Sequence, residues 1–304
     1  KQVVYCTYTE VAGLAGIAAL ALFYVMPLCQ THERKGTQVI YGGIICIFAT
    51  LSYMLREDSF FALVLFAVVL FAWRMLKCSA PMRKNGWIFA VCVLACIGSV
   101  YVEDRMAYNA EGYQDVYHNI EIQTKTVDYY GIASWWEHED FYQKQGITQE
   151  DALFLYQSAP ALADVSWEQF EATANYTQEL AGTEKNWKAV AESVYNKFVS
   201  YSDVRGTLWN VLMILAGLCA VVAVIARKGN RLWLVLAFAD AYFVLAAYLC
   251  YRGRVPDRVV VILLTAFVVM VILTFLDVFA CIRGRGWRLF VLPSILIVVV
   301  SGLW

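Results

Sequence analysis

VVVILLTAFVVMVILTFLDVFAC, residues 259–281, holds a single charged residue, Asp277. A helix of that length is long enough to cross the roughly 30 Å hydrocarbon core of a bilayer. Seven more runs read the same way, giving eight expected spans at residues 11–28, 38–55, 60–76, 87–102, 208–226, 232–251, 259–281 and 287–304. The chain is 61% hydrophobic with a mean hydropathy of +0.56, too apolar for a single soluble core without large exposed patches. Continuous runs also exclude the alternation of an outer-membrane barrel, so the expected fold class is all-α, a polytopic helical membrane protein.

One segment interrupts this pattern. Residues 103–205 contain eighteen Asp or Glu against seven Lys or Arg, so the segment sums to −11 and the remainder of the chain to +10. The expected organisation is a first four-span half (1–102), an acidic water-facing domain (103–207) and a second four-span half (208–304). The short gaps on one side of the membrane hold twelve basic residues, from Arg34 to Arg288. The other side has five: Lys1, Arg56, Arg252, Arg254 and Arg258. The positive-inside rule assigns the richer side to the cytoplasm and the acidic domain to the outside. Because the chain opens on Lys1 and closes within its last apolar run, further residues, a span among them, are expected beyond either end.

All nine cysteines lie in or beside apolar runs and the acidic domain has none, so no disulfide framework or paired-cysteine metal motif is expected. A disulfide-free external domain is commoner in bacteria than in the animal secretory pathway. Asn175-Tyr176-Thr177 is formally a glycosylation sequon, a tripeptide that arises often by chance.

The two membrane halves echo each other. Ala12-Gly13-Leu14 stands beside Ala216-Gly217-Leu218 and Lys35-Gly36 beside Lys228-Gly229, while Asn85-Gly86-Trp87 and Arg285-Gly286-Trp287 open the fourth spans. A parallel duplication explains this; so does the ordinary clustering of Gly, Trp and basic residues at helix ends.

Every strong local signal in the acidic domain is helical. Thr148-Gln149-Glu150-Asp151 and Ser166-Trp167-Glu168-Gln169 read as capping boxes before amphipathic stretches, and a third helix is expected to start at Thr183-Glu184-Lys185. Residues 103–126 are expected to continue the fourth span into water.

Across residues 127–171 the order Asp128-Tyr129-Tyr130, Glu139-Asp140-Phe141-Tyr142, Gly146-Ile147-Thr148 with Glu150-Asp151, then Asp164 and Phe170 resembles the external loop of uncharacterised multi-span proteins of Firmicutes, some associated with surface-polysaccharide genes. The family's Pro-Tyr step after the aspartate-aromatic pair reads Ser134-Trp135-Trp136 here. The resemblance implies a bacterial plasma membrane and an envelope role, and carries no catalytic residues with it.

Candidate sites are few. Asp240 falls mid-span, where an ionised carboxylate costs several kcal/mol unless paired, hydrated or protonated, so it is not expected to face lipid. Thr274 and Ser294 fall at similar depth, and Pro293 would open a backbone carbonyl beside them. The three form either an ion or substrate site or a buried hydrogen-bonded packing layer. Asp277 is expected to pair with Arg283 or Arg285. Glu57 and Asp58, in a short external loop, are either the acidic pair of a lipid-linked glycosyltransferase or a solvated start to the next helix, with Asp58 or Ser59 as cap; Glu103-Asp104 is as ambiguous. Trp135 and Trp136 offer a platform for sugar rings or part of a small core. His138 lies among acids without a metal-binding spacing, and no metal or cofactor is expected. Phosphate loops, dinucleotide fingerprints and nucleophile elbows are absent from the sequence. Expected partners are membrane lipids and protein subunits or further copies of the chain, and no nucleic acid. A non-enzymatic transport or assembly role in the bacterial envelope leads; a glycosyltransferase-like enzyme and a structural or sensory subunit are the rivals.

Overall fold

The computed structural model describes residues 8–26, 35–77, 80–109, 113–124, 126, 131–156, 163–181, 187–199, 210, 213, 214, 216, 217, 229–252, 255 and 257–283. Among them there is no strand, and the chain is an all-α polytopic membrane protein. Six helices are long and apolar enough to cross a bilayer: Tyr8–Val25, Gly36–Leu55, Glu57–Lys77, Arg83–Tyr108, Gly229–Tyr251 and Arg258–Val278. They coincide with the first four, the sixth and the seventh expected spans. The eighth, 287–304, lies outside the described residues, as does most of the fifth, 208–226.

The chain divides into two compact units, one comprising 1–101, 192–248 and 255–304, the other 102–191 and 249–254. Residues 192–199, expected in the acidic domain, belong to the first, where Phe198 packs edge-on against Tyr242 and accepts its hydroxyl at 3.1 Å.

In the first unit, helices α1 (Tyr8–Val25), α2 (Lys35–Leu55), α3 (Glu57–Lys77) and α4 (Ala80–Tyr108) precede α10 (Gly229–Tyr251) and α11 (Asp257–Arg283). The span in α11 is 83% buried, as a helix apolar all round should be when it occupies a core. α1 reaches it through small residues, because without a hydrophobic drive between helices in lipid, close backbone approach supplies the contact energy. Gly13 faces Ile262 so closely that a Cβ would lie 2.6 Å from its side chain, and Gly16 stands as tightly against Leu63 and Ser52. The buried Ser52 hydroxyl donates to the Ala12 carbonyl at 2.8 Å, satisfying in an apolar setting a group that would otherwise carry a desolvation cost. Phe66 stacks on Phe238 and Tyr242 on Phe267, joining α3 to α10 and α10 to α11. The span in α4 is the opposite of α11, with 6% buried by the described residues.

The second unit holds α5 (Gln114–Thr124), a 3-10 turn (Trp135–Glu137), α6 (Glu139–Lys144), α7 (Gln149–Tyr156) and α8 (Trp167–Ala181); α9 (Trp187–Val194) leads back to the first. α4 stops at Tyr108 and helix resumes at Gln114, with turns at Asn109 and Tyr113, so residues 103–126 are not one continuous helix. Two apolar clusters hold the unit together. One is Ile122, Leu155, Phe170 and Ala174, the other Tyr142, Ile147 and Ala152, and Ile132 and Val165 pack against both. The capping boxes close as the sequence implies: Asp151 N–H donates to Thr148 Oγ1 at 3.2 Å, Gln169 N–H to Ser166 Oγ at 3.3 Å, and Ser166 N–H to Gln169 Oε1 at 2.7 Å. α6 ends in a Schellman turn. Gly146 sits at φ +71°, its N–H on the Gln143 carbonyl, and Ile147 N–H reaches back to Tyr142 O at 3.0 Å.

Candidate functional site

Asp240 lies at the midpoint of α10, whose buried face carries Leu234, Val235, Phe238, Ala241, Tyr242 and Ala246. Successive residues at helical spacing put Trp233, Leu236, Asp240, Phe243 and Tyr248 on the other face, and all five are exposed among the described residues. The packed core of the unit therefore does not shield this carboxylate. Thr274, expected at the same level, is fully buried, and its hydroxyl donates to the Met270 carbonyl at 2.7 Å within its own helix. That bond satisfies the hydroxyl locally and is the commonest use of a threonine inside an apolar helix. No hydrogen bond or ion pair joins Asp240 to Thr274 among the described residues, and Ser294 lies outside them.

Glu57 and Asp58 are both exposed in the first turn of α3. The Arg56 carbonyl accepts the N–H of Phe60 at 3.2 Å, so Arg56 stands at the cap position, two or three residues before the expected Asp58 or Ser59. Arg56 and Asp58 approach to 3.9 Å, a solvated pair at a helix start that complements the positive end of the dipole.

At the other end of α3 the sequence hid a cluster. Arg74 is buried, and its guanidinium donates to the Phe23, Tyr24 and Met26 carbonyls that end α1, with the Tyr24 bond at 2.9 Å. A fork of donors on the negative end of a helix satisfies the orphan carbonyls and the dipole together. Trp73 beside it lies under two cations, Lys77 and Arg231, each 4.5 Å from the ring centroid. Arg231 in turn pairs with Asp277. An ion pair is expected at Asp277, and among the described residues Arg231, at the start of α10, supplies one; the side chains of the expected partners Arg283 and Arg285 lie outside the described residues. In the sequence Arg74 counts among the twelve basic residues of one side, although it falls in the last turn of the expected span 60–76.

In the second unit the two expected platform rings separate. Trp135 stacks on Tyr142 at 5.4 Å as part of the core, whereas Trp136 is 73% exposed. The buried Tyr142 hydroxyl donates to the Ala133 carbonyl at 2.6 Å, and burial pushes its pKa up to about 12. His138 Nδ1 stands 3.0 Å from the Tyr176 hydroxyl, and Tyr176 stacks on Phe141 with ring centroids 3.9 Å apart. The Asn175 sequon lies within α8 with Thr177 buried, a poor acceptor for glycosylation.

No family model, curated protein or solved structure matches this chain. The functional reading therefore stands on the residues above.

Proposed function

We propose that this chain is an integral membrane transport or assembly component of a bacterial cell envelope, acting with partner subunits or further copies of itself on surface-polysaccharide or other lipid-linked substrates. The observation that carries the reading is Asp240, an ionisable group at the middle of an apolar helix on a stripe the described residues leave uncovered. Ionisable side chains at that depth mark ion and substrate pathways more often than packing, because each imposes a desolvation cost that a purely structural site avoids. The excess of basic residues in the short gaps supports a cytoplasmic placing for that end and an extracytoplasmic one for the acidic unit.

Asp240→Asn keeps the shape of the side chain and most of its hydrogen bonding but removes the charge. Transport or envelope assembly, followed in cells by surface-polysaccharide export, should be abolished while expression and thermal midpoint stay within a few degrees of the parent. Full activity in the Asn variant would remove Asp240 from the mechanism and leave a structural or sensory subunit as the better reading.

One observation favours a second reading, a lipid-linked glycosyltransferase-like enzyme: Glu57 and Asp58 present adjacent exposed carboxylates at the start of α3, the chemistry of a base or a metal ligand. Loss of activity in Glu57→Gln with Asp58→Asn, but not in Asp240→Asn, would select it.

A further inference from the structure

α10 has one face packed and one face uncovered by the described residues. On the inner side Phe238 stacks on Phe66 and Tyr242 on Phe267. On the outer side Trp233, Leu236, Val244 and Tyr248 are 70%, 45%, 59% and 56% exposed, a strip about 22 Å long with the small side chain of Ala237 along it. Asp240 stands at the centre of the strip, and with the described residues it forms no hydrogen bond or ion pair. The Thr274 hydroxyl, expected at the same depth, donates to the Met270 carbonyl instead. The sequence supplies no counter-charge at that level either. No Lys, Arg or His falls in the middle of any of the eight apolar runs; Arg74 and Arg288, which fall inside one, are each within three residues of its end.

We propose that the outer face of α10 docks a transmembrane helix of a partner subunit that carries a lysine or arginine at mid-depth, opposite Asp240. The inference rests on the reading of this chain as one member of a membrane assembly, and names the chemistry of its partner at the same site. Charge complementarity chooses the occupant. Hydrocarbon cannot solvate a carboxylate, and the cation of a zwitterionic lipid lies at the headgroups, half a bilayer away. A second copy docking through the same face would set carboxylate against carboxylate. A hydroxyl from elsewhere in the chain would bring a hydrogen bond without a charge. A cationic side chain brings both, and opposite charges paired between spans offset the desolvation of each other. The shape of the strip agrees. Ala237, one turn before Asp240, allows close approach of a neighbouring backbone, and Trp233 and Tyr248 bracket the contact with the broad rings that anchor interfaces.

The full chain, reconstituted in phosphatidylcholine vesicles, should be titrated with a dansylated polyleucine transmembrane peptide bearing one central lysine, and with its all-leucine twin, reading energy transfer from the tryptophans of the chain. The lysine peptide should bind roughly three- to thirtyfold more tightly, the span of about 0.6–2 kcal/mol for polar pairs between membrane helices at 1.4 kcal/mol per factor of ten. Asp240→Asn should remove most of that preference, and so should moving the lysine two turns along the peptide. A photoreactive phenylalanine at Val244 should cross-link to the lysine peptide, whereas one at Ile47, as exposed on the outer side of α2, should not. Equal binding of the two peptides, or a lysine preference that survives Asp240→Asn, would overturn the proposal. So would efficient cross-linking from Val244, with no peptide present, to a second copy or to residues 287–304 of the same chain, because either would show the face already covered. Failure here is distinct from failure of the transport reading: no lysine preference with export lost in Asp240→Asn removes the cationic partner alone, and a lysine preference with export intact keeps the docking face and takes Asp240 out of transport.

Discussion

Arg74 shows how one side chain ties two spans together. Its guanidinium serves three carbonyls at the end of α1 from a position near the end of α3, and it lies 5.3 Å from the Phe23 ring as well. Hydrogen bonds from a charged donor are worth about 1.5–3 kcal/mol, although an unfolded chain in a membrane also finds partners for these groups, which lowers the net effect. Arg74→Gln should therefore lower stability by about 1–3 kcal/mol in a denaturant titration in micelles. Arg74→Lys, which keeps the charge but loses the planar fork, should fall between Gln and the parent. A Gln variant as stable as the parent would show that water or lipid serves those carbonyls equally well. The place of Arg74 within an apolar turn marks it as a residue in need of acceptors, but which acceptors was not legible, since they lie 48 to 51 residues away along the chain. Asp240 was legible for the converse reason: a carboxylate in the middle of an apolar run is costly whatever its neighbours are. Which face it occupies was not legible, because the residues flanking it on both faces are apolar.

At the scale of elements, the short helices of the acidic unit are set by their ends. Gly146 carries the one conformation that α6 needs to stop, and a Cβ in that left-handed region costs about 1–2 kcal/mol. Gly146→Ala should cost about 1 kcal/mol or slightly more, read as a lower thermal midpoint of this unit; an unchanged midpoint would mean that the turn re-forms without strain. Asp151 joins two elements, since its carboxylate accepts the Thr148 hydroxyl at the cap of α7 and the Asp164 N–H, at 2.8 Å, from the approach to α8. The Thr148 bond chiefly, with the backbone donors after it, holds its pKa below the ordinary 3.8. A carboxyl depressed on folding stabilises above its unfolded value, and that contribution fades as pH falls through the lower folded value. The thermal midpoint should thus drop below about pH 4, and Asp151→Asn should flatten that part of the profile and lie below the parent at pH 7. Identical acid profiles in parent and variant would show the network to be dispensable. These ends were readable in advance as Thr148 with Asp151 and Ser166 with Gln169, because a capping box uses groups three residues apart.

At the scale of the whole molecule, the proposed orientation has a direct test. Cysteine placed at Lys144, exposed in the acidic unit, should react in intact cells with a membrane-impermeant thiol reagent, above the background of the native cysteines; cysteine at Asn85, near the basic end of α4, should react only after permeabilisation. The reverse pattern would overturn the orientation and the envelope role with it. Sequence alone was sufficient for the helical membrane class and for six spans, five of them within three residues of their observed limits and the fourth short by four and six, because length and hydropathy are local and additive. It could not distinguish α11, buried on nearly every side, from α4, buried on almost none by the described residues, although both read as spans. In water, burial follows apolarity; in a membrane, lipid is as apolar as a protein core, so hydropathy records crossing and is silent on neighbours. Tertiary structure decided that Gly13 and Gly16 bring α1 against Ile262, Leu63 and Ser52, that Arg74 caps α1, and that Trp135 enters a core while Trp136 stays out. Each of these is a contact between residues distant in sequence, fixed only when the helices choose which faces to share.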